Sequence, residues 1–238
     1  MIASLPMYWR AETAEPWQDF WNILKSAAHS DGIDLPDLSV PQSLVDHWLH
    51  PDLVLSMTCS LPLRTALRNK VRYVGTFDFG VTDPAGHYTS VQIARKHSTA
   101  LPRSLAVNEV TSQSGWAAIP QSHKNLDVVI TGSHAASLHA VATDRADTAY
   151  LDAITWRLLQ RHDPLAARVH VVAQTPPTPG LPLICALGRP VDGIRAALKH
   201  AVSGLSDGQR DSLFGLSDFV VLDEHAYLDL PLPVSPTA

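Results

Sequence analysis

The sequence predicts an α/β protein, and three observations carry that reading. Short β-branched runs alternate with stretches whose apolar residues recur at helical spacing, most plainly from residue 128 onward. The 238 residues are 45% hydrophobic and 17% charged, enough apolar material to bury a full core. Eighteen prolines and twelve glycines are scattered among the hydrophobic runs, which marks many short turns between compact elements. The length suits one large domain or two lobes of roughly 100 residues each.

Ile2 to Leu5 reads as a short buried strand. Pro16 opens a helix whose Trp17, Phe20, Trp21, Leu24 and Ala28 share one face, and Asp31-Gly32 stops it. A helix at Ser43 to Leu49 ends before Pro51, and a strand at Leu53 to Leu55 runs into Met57-Thr58-Cys59. Leu63 to Asn69 is expected to be helical, Val71 to Thr76 a strand, Gly86 a turn, and Tyr88 to Arg95 a longer strand. Leu105 to Val107 is a strand, and a helix is expected after Ser114-Gly115.

The alternation then becomes regular, with strands at Val128–Ile130, Thr148–Leu151 and Val169–Ala173, separated by helices at His134–Thr143 and Ile154–Arg161. Such a run predicts parallel sheets covered by helices. After the turn Thr175 to Gly180 come a strand at Leu183–Leu187, helices at Val191–Ser203 and Asp207–Phe214, and a strand at Phe219–Leu222.

Composition excludes several classes of function. Lys plus Arg total 18 against 23 Asp plus Glu, a net charge of −5 with no basic block, so nucleic acid and anionic membrane are not the expected partners. Cys59 and Cys185 are far apart and form no CxxC pair, so reduced thiols are the ordinary expectation and a disulfide the alternative. No apolar stretch approaches the roughly 18 residues that cross a bilayer. The start of the chain has no basic segment followed by an apolar one, so as written it is expected in the cytoplasm, or in the periplasm if a leader has been removed. GxxxxGK[ST], HExxH and GxGxxG are all missing, and no catalytic residue, cofactor or metal is assigned.

What chemistry the chain suggests sits at strand-to-helix junctions. Thr111-Ser112-Gln113-Ser114-Gly115 combines hydroxyls, a glycine and the N–H groups opening a helix, a composition that suits an anion, although an ordinary N-cap is the commoner role of such a segment. Thr131-Gly132-Ser133-His134 repeats the construction and adds an imidazole. In open α/β sheets the carboxyl ends of the strands face the ligand, so both junctions can converge. Asp152, following another strand, is either a cap or a carboxylate on the same edge. Tyr8, Thr58, Cys59 and Tyr88 are further residues at strand ends.

With these segments in view, the chain resembles the substrate-binding components of phosphate/phosphonate ABC transporters over nearly its whole length. The resemblance is carried in order by Gly86-His87-Tyr88-Thr89-Ser90-Val91, Thr111-Ser112-Gln113-Ser114-Gly115-Trp116, Ser133-His134 to Ala142, Ala146-Asp147-Thr148-Ala149 and Pro179-Gly180-Leu181-Pro182. It implies a two-lobed type 2 periplasmic-binding-protein fold with a ligand cleft between the lobes. It also implies an anion grip of Ser112, Gln113, Ser114 and His134, lined by Tyr88. Gln113 stands where the family has threonine, and Ser56-Met57-Thr58-Cys59 where it often has an aromatic residue.

The expected lobes are residues 1–86 with 190–238, and residues 87–189. The expected ligand is a small anionic or zwitterionic phosphate, phosphonate or related oxyanion, with Asp152 facing a cationic tail, and the implied partner is an ABC permease. A cytoplasmic enzyme or a ligand sensor on the same fold is the alternative.

Overall fold

The computed structural model describes residues 1–30 and 32–234, so Asp31 of the expected helix stop lies outside the described residues. The chain divides into two compact units. The first comprises Met1–Gly86 and Pro179–Asp229, and the second His87–Thr178 with the tail from Leu230.

In the first unit the strands β1 (Ile2–Ser4), β2 (Leu53–Met57) and β3 (Val71–Asp78) are accompanied by α1 (Ala14–Ser30), α2 (Leu44–Trp48) and α3 (Ser60–Arg64). α1 forms where expected because its aromatic face has somewhere to go: Trp17, Phe20, Trp21, Leu24 and Ala28 are all essentially inaccessible. Phe20 meets Phe77 edge-on at 5.6 Å, and Phe77 meets Phe219 at 6.4 Å. Each such fully buried side chain contributes about 1.5–3 kcal/mol of transfer free energy.

The second unit holds β4 (His87–Tyr88), β5 (Ser90–Arg95), β6 (Ser104–Val107), β7 (Asp127–Ile130), α4 (His134–Ala142), β8 (Thr148–Asp152), α5 (Ala153–His162) and β9 (Val169–Gln174). The expected long strand from Tyr88 is thus interrupted at Thr89. β10 (Thr178–Pro179) pairs with β4 in a two-stranded ladder where the chain crosses between units. The first unit is completed by β11 (Pro182–Ala186), α6 (Asp192–Ser203), α7 (Asp207–Ser212), β12 (Asp218–Val220) and α8 (His225–Leu228).

Each unit has a five-stranded sheet, ordered β1-β2-β11-β3-β12 in the first and β7-β6-β8-β5-β9 in the second. Neither is wholly parallel, contrary to expectation. β11 runs antiparallel to β2 and β3, and β5 antiparallel to β8 and β9. Local periodicity is the same for both strand directions, so the reversal is invisible in it. Because β11 sits between β2 and β3, residues 179–189 belong with the first unit, where the sequence had grouped them with the second. The described tail residues 230–234 group with the second unit, where Trp116 Nε1 donates to the Val234 carbonyl at 3.0 Å.

Two other elements differ. The helix expected at Leu63–Asn69 is realised as the five-residue α3, ending at Arg64, with turns to residue 70. The helix expected after Gly115 is a single π-helical turn, Gln113–Ala117, followed by a 3-10 turn at Gln121–Asn125.

Candidate functional site

In the second unit β6 is parallel to both β7 and β8, so the carboxyl ends of these three strands lie on one sheet edge. Asn108–Gly115, Thr131–His134 and Asp152 all follow from that edge. Backbone bonds continue the β6–β7 pairing past the strands, since Thr131 N–H donates to the Val107 carbonyl at 2.8 Å and Gly132 N–H to the Asn108 carbonyl at 2.9 Å. Thr131 Oγ1 adds bonds to the Val107 carbonyl at 3.1 Å and to Ser137 Oγ at 2.6 Å, tying the second junction to α4.

Ser112 caps the π-helical turn, its Oγ accepting from Gly115 N–H at 3.0 Å, which leaves its own hydroxyl proton for another acceptor. The turn closes through Ala117 N–H to the Ser112 carbonyl at 3.0 Å and Ala118 N–H to the Gln113 carbonyl at 2.8 Å. Such π turns recur at functional sites because they re-aim side chains without ending the chain direction. An added Cβ at Gly115 would meet Asn108 Oδ1, so the absence of a side chain there lets the Asn108 amide lie against the turn. Ser133 caps α4, accepting from Ala136 N–H at 3.1 Å.

The two junctions meet through Ser114 Oγ and His134 Nε2, 2.9 Å apart, and Ser112 Oγ stands 3.4 Å from Ser114 Oγ. Ser112, Gln113 and Ser114 are buried. His134 keeps intermediate solvent exposure as a residue, yet protein atoms surround its ring. That desolvation pushes its pKa down to about 4, opposed in part by the Tyr150 backbone carbonyl. Nδ1 lies outside hydrogen-bond geometry, so the Tyr150 carbonyl acts on it only as a nearby dipole. His134 is therefore a neutral imidazole at neutral pH.

Asp152 is buried and caps α5, its Oδ1 accepting from Ile154 N–H at 2.8 Å and Thr155 N–H at 2.9 Å. Tyr88 is buried in β4. In the first unit, Tyr8 is buried edge-on against Phe79 at 5.4 Å, with its carbonyl accepting from Thr13 Oγ1 at 2.7 Å. Thr58 is fully buried, donates its N–H to the Pro182 carbonyl at 2.9 Å, and leaves Oγ1 without a hydrogen-bond partner among the described residues. Cys59 is half-buried at the start of α3, and Cys185 is buried in β11, which raises its thiol pKa. Neither forms a disulfide among the described residues.

A family model described as ABC transporter, phosphonate, periplasmic substrate-binding protein matches residues 85–227, more than half of the chain and the stretch that contains this edge. The chain belongs to that family. This phosphonate-family binding protein has the two-lobed type 2 fold, as its likeness to solved structures shows. A binding component of an ABC phosphonate transporter from Pseudomonas aeruginosa superposes with a TM-score of 0.71 at 18% identity, over 96% of this chain and 83% of that one. A methylphosphonate complex from Prochlorococcus marinus gives 0.67 at 15% identity, over 96% and 94%. A Xanthomonas citri protein bound to ATP gives 0.68 at 14%, over 97% and 94%. No curated protein matches the sequence.

Of the sequence candidates, the structure joins Ser112, Ser114 and His134 by hydrogen bonds, with Gln113 between the serines. It gives Asp152 a capping role on the same edge. Sequence reasoning missed Asn108, whose Oδ1 is buried without a partner among the described residues and rests against Gly115. Its only local signal is its place as the first residue after β6.

Proposed function

We propose that this protein binds a small phosphonate or related oxyanion through Ser112, Ser114 and His134, as the solute-binding component of an ABC transporter. The observation that supports it is the Ser114–His134 hydrogen bond at 2.9 Å, which draws two strand-to-helix junctions together at one sheet edge. The Ser112 hydroxyl and the N–H groups opening α4 and the π-helical turn are donors, the complement an oxyanion requires. The methylphosphonate ligand of the Prochlorococcus marinus relative and the name of the matching family favour the same chemistry. Tyr88 is assigned to pack the ligand, and Gln113, in place of a hydroxyl, to admit a head group other than a simple phosphonate.

Asp152 lies on the same edge as the grip, and a carboxylate there disfavours a second negative charge while attracting a positive one. The ligand is therefore a zwitterion, an aminoalkyl phosphonate or phosphate, rather than a bare dianion. The family description favours periplasmic delivery to a permease. No helix among the described residues is long and apolar enough to cross a membrane.

Calorimetric titration with methylphosphonate, 2-aminoethylphosphonate, phosphate and sulfate tests this. Charge-assisted hydrogen bonds contribute about 1.5–3 kcal/mol each, so Ser112→Ala, Ser114→Ala or His134→Ala is expected to weaken binding about 10- to 150-fold without unfolding the chain. Unchanged affinity in all three variants would leave these residues as caps alone.

A further inference from the structure

The second unit's sheet ends on β9, and the surface around it is not used by the oxyanion site. β9 pairs only with β5 among the described residues, so its outer edge carries no strand. Val169 is buried, whereas every residue from His170 to Gln174 is exposed. Beside its first half lies a groove of about 710 Å³ walled by Trp156 of α5 and lined by Lys96, Arg161, His162, Asp163 and His170. Asp163 is the single carboxylate in that lining, and both its oxygens are engaged. Oδ2 takes His139 Nε2 at 2.6 Å and Oδ1 takes Leu165 N–H at 3.0 Å.

We propose that this groove and the open edge of β9 dock an acidic, extended segment of a protein partner. The extended form follows from the edge: unpaired backbone N–H and C=O groups along an outer strand pair readily with an added strand. A register shift leaves Val172 out of the regular ladder, so the pairing stretch is the one beside the groove, Val169 to Val171.

Acidity follows from charge. The chain as a whole is at −5, but residues 87–178 carry eight Lys and Arg against six Asp and Glu. The α5 C-terminus offsets part of the Arg161 and His162 charge, but Lys96 and His170 stand on the sheet side of the groove. A second copy is disfavoured as occupant, because β9 against β9 would bring two sets of Lys96 and Arg161 together.

The probe is an eight-residue peptide of alternating Glu and Val, titrated into isotopically labelled full-length protein at low salt, with a Lys/Val peptide as control. Expected are amide shifts centred on residues 169–172 for the acidic peptide alone. They are expected to fade at high salt and to need about tenfold more peptide in a Lys96→Glu/Arg161→Glu variant. The proposal is overturned if the acidic peptide shifts nothing there, or if both peptides act alike. Identical shifts with inorganic phosphate alone would reassign the groove to a small anion. A peptide-independent dimer in sedimentation that is abolished by Val171→Lys would reassign it to a second copy.

Discussion

Ser114 and His134 touch because the chain returns to the same sheet edge twenty residues later, and the burial of the ring there sets the protonation state of the imidazole. Burial holds the His134 pKa down to about 4, against about 6.5 in an unfolded chain. Between these values the unfolded state binds a proton that the folded state does not, so unfolding gains as pH falls. This part of the stability is complete above about pH 6.5 and is lost progressively as pH drops toward 4. Thermal denaturation from pH 7 to 4.5 is expected to show a falling Tm whose slope is shallower, by a few degrees over the range, in His134→Asn. Parallel slopes in the two proteins would contradict the burial of the ring. The candidacy of Ser112, Ser114 and His134 was legible in the sequence as hydroxyls and an imidazole at βα junctions. Their mutual hydrogen bonding was not, since no spacing rule links residue 114 to residue 134.

Caps and strand crossings carry the predictions at the level of elements. Asp152 accepts two N–H groups of α5, so Asp152→Ala is expected to cost about 1 kcal/mol in urea denaturation, whereas Asn, as good a cap, costs a few tenths at most. That difference isolates the cap, and Asp152→Asn by itself isolates the charge. With the cap retained, Asp152→Asn is expected to weaken 2-aminoethylphosphonate more than methylphosphonate in calorimetry, and an equal loss would rule out a counter-ion role.

Gly75 in β3 faces β12 so closely that a Cβ would stand 2.3 Å from Phe219 Cζ and 2.9 Å from the Val220 carbonyl. Gly75→Ala is therefore expected to destabilise the first unit by about 1–3 kcal/mol, read as a lower denaturation midpoint with an unchanged slope. α1 and α5 were readable because their apolar residues recur every three or four positions. The π-helical turn at Gln113 was not, because five residues are too few to display a period.

For the molecule as a whole, ligand binding and folding are linked. A ligand that binds only the folded chain adds about 2.7 kcal/mol at a hundred times its Kd, so 2-aminoethylphosphonate is expected to raise Tm by several degrees. In Ser114→Ala, with Kd weakened about 10- to 150-fold, the same concentration is expected to add only about 1.4 to 0.3 kcal/mol, and so to raise Tm by about half as much or less. A rise of equal size in that variant would place the ligand elsewhere.

Class, element order and the family resemblance came from patterns that act over a few residues: alternation, helical spacing, capping hydroxyls and glycine turns. Those patterns say which face of each element is apolar. They are silent on which neighbour covers it, and strand direction leaves no trace in them. That β11 inserts antiparallel between β2 and β3, that β5 opposes β8, and that Asn108 rests on Gly115 were decided only when distant segments competed for the same hydrogen bonds and the same buried volume.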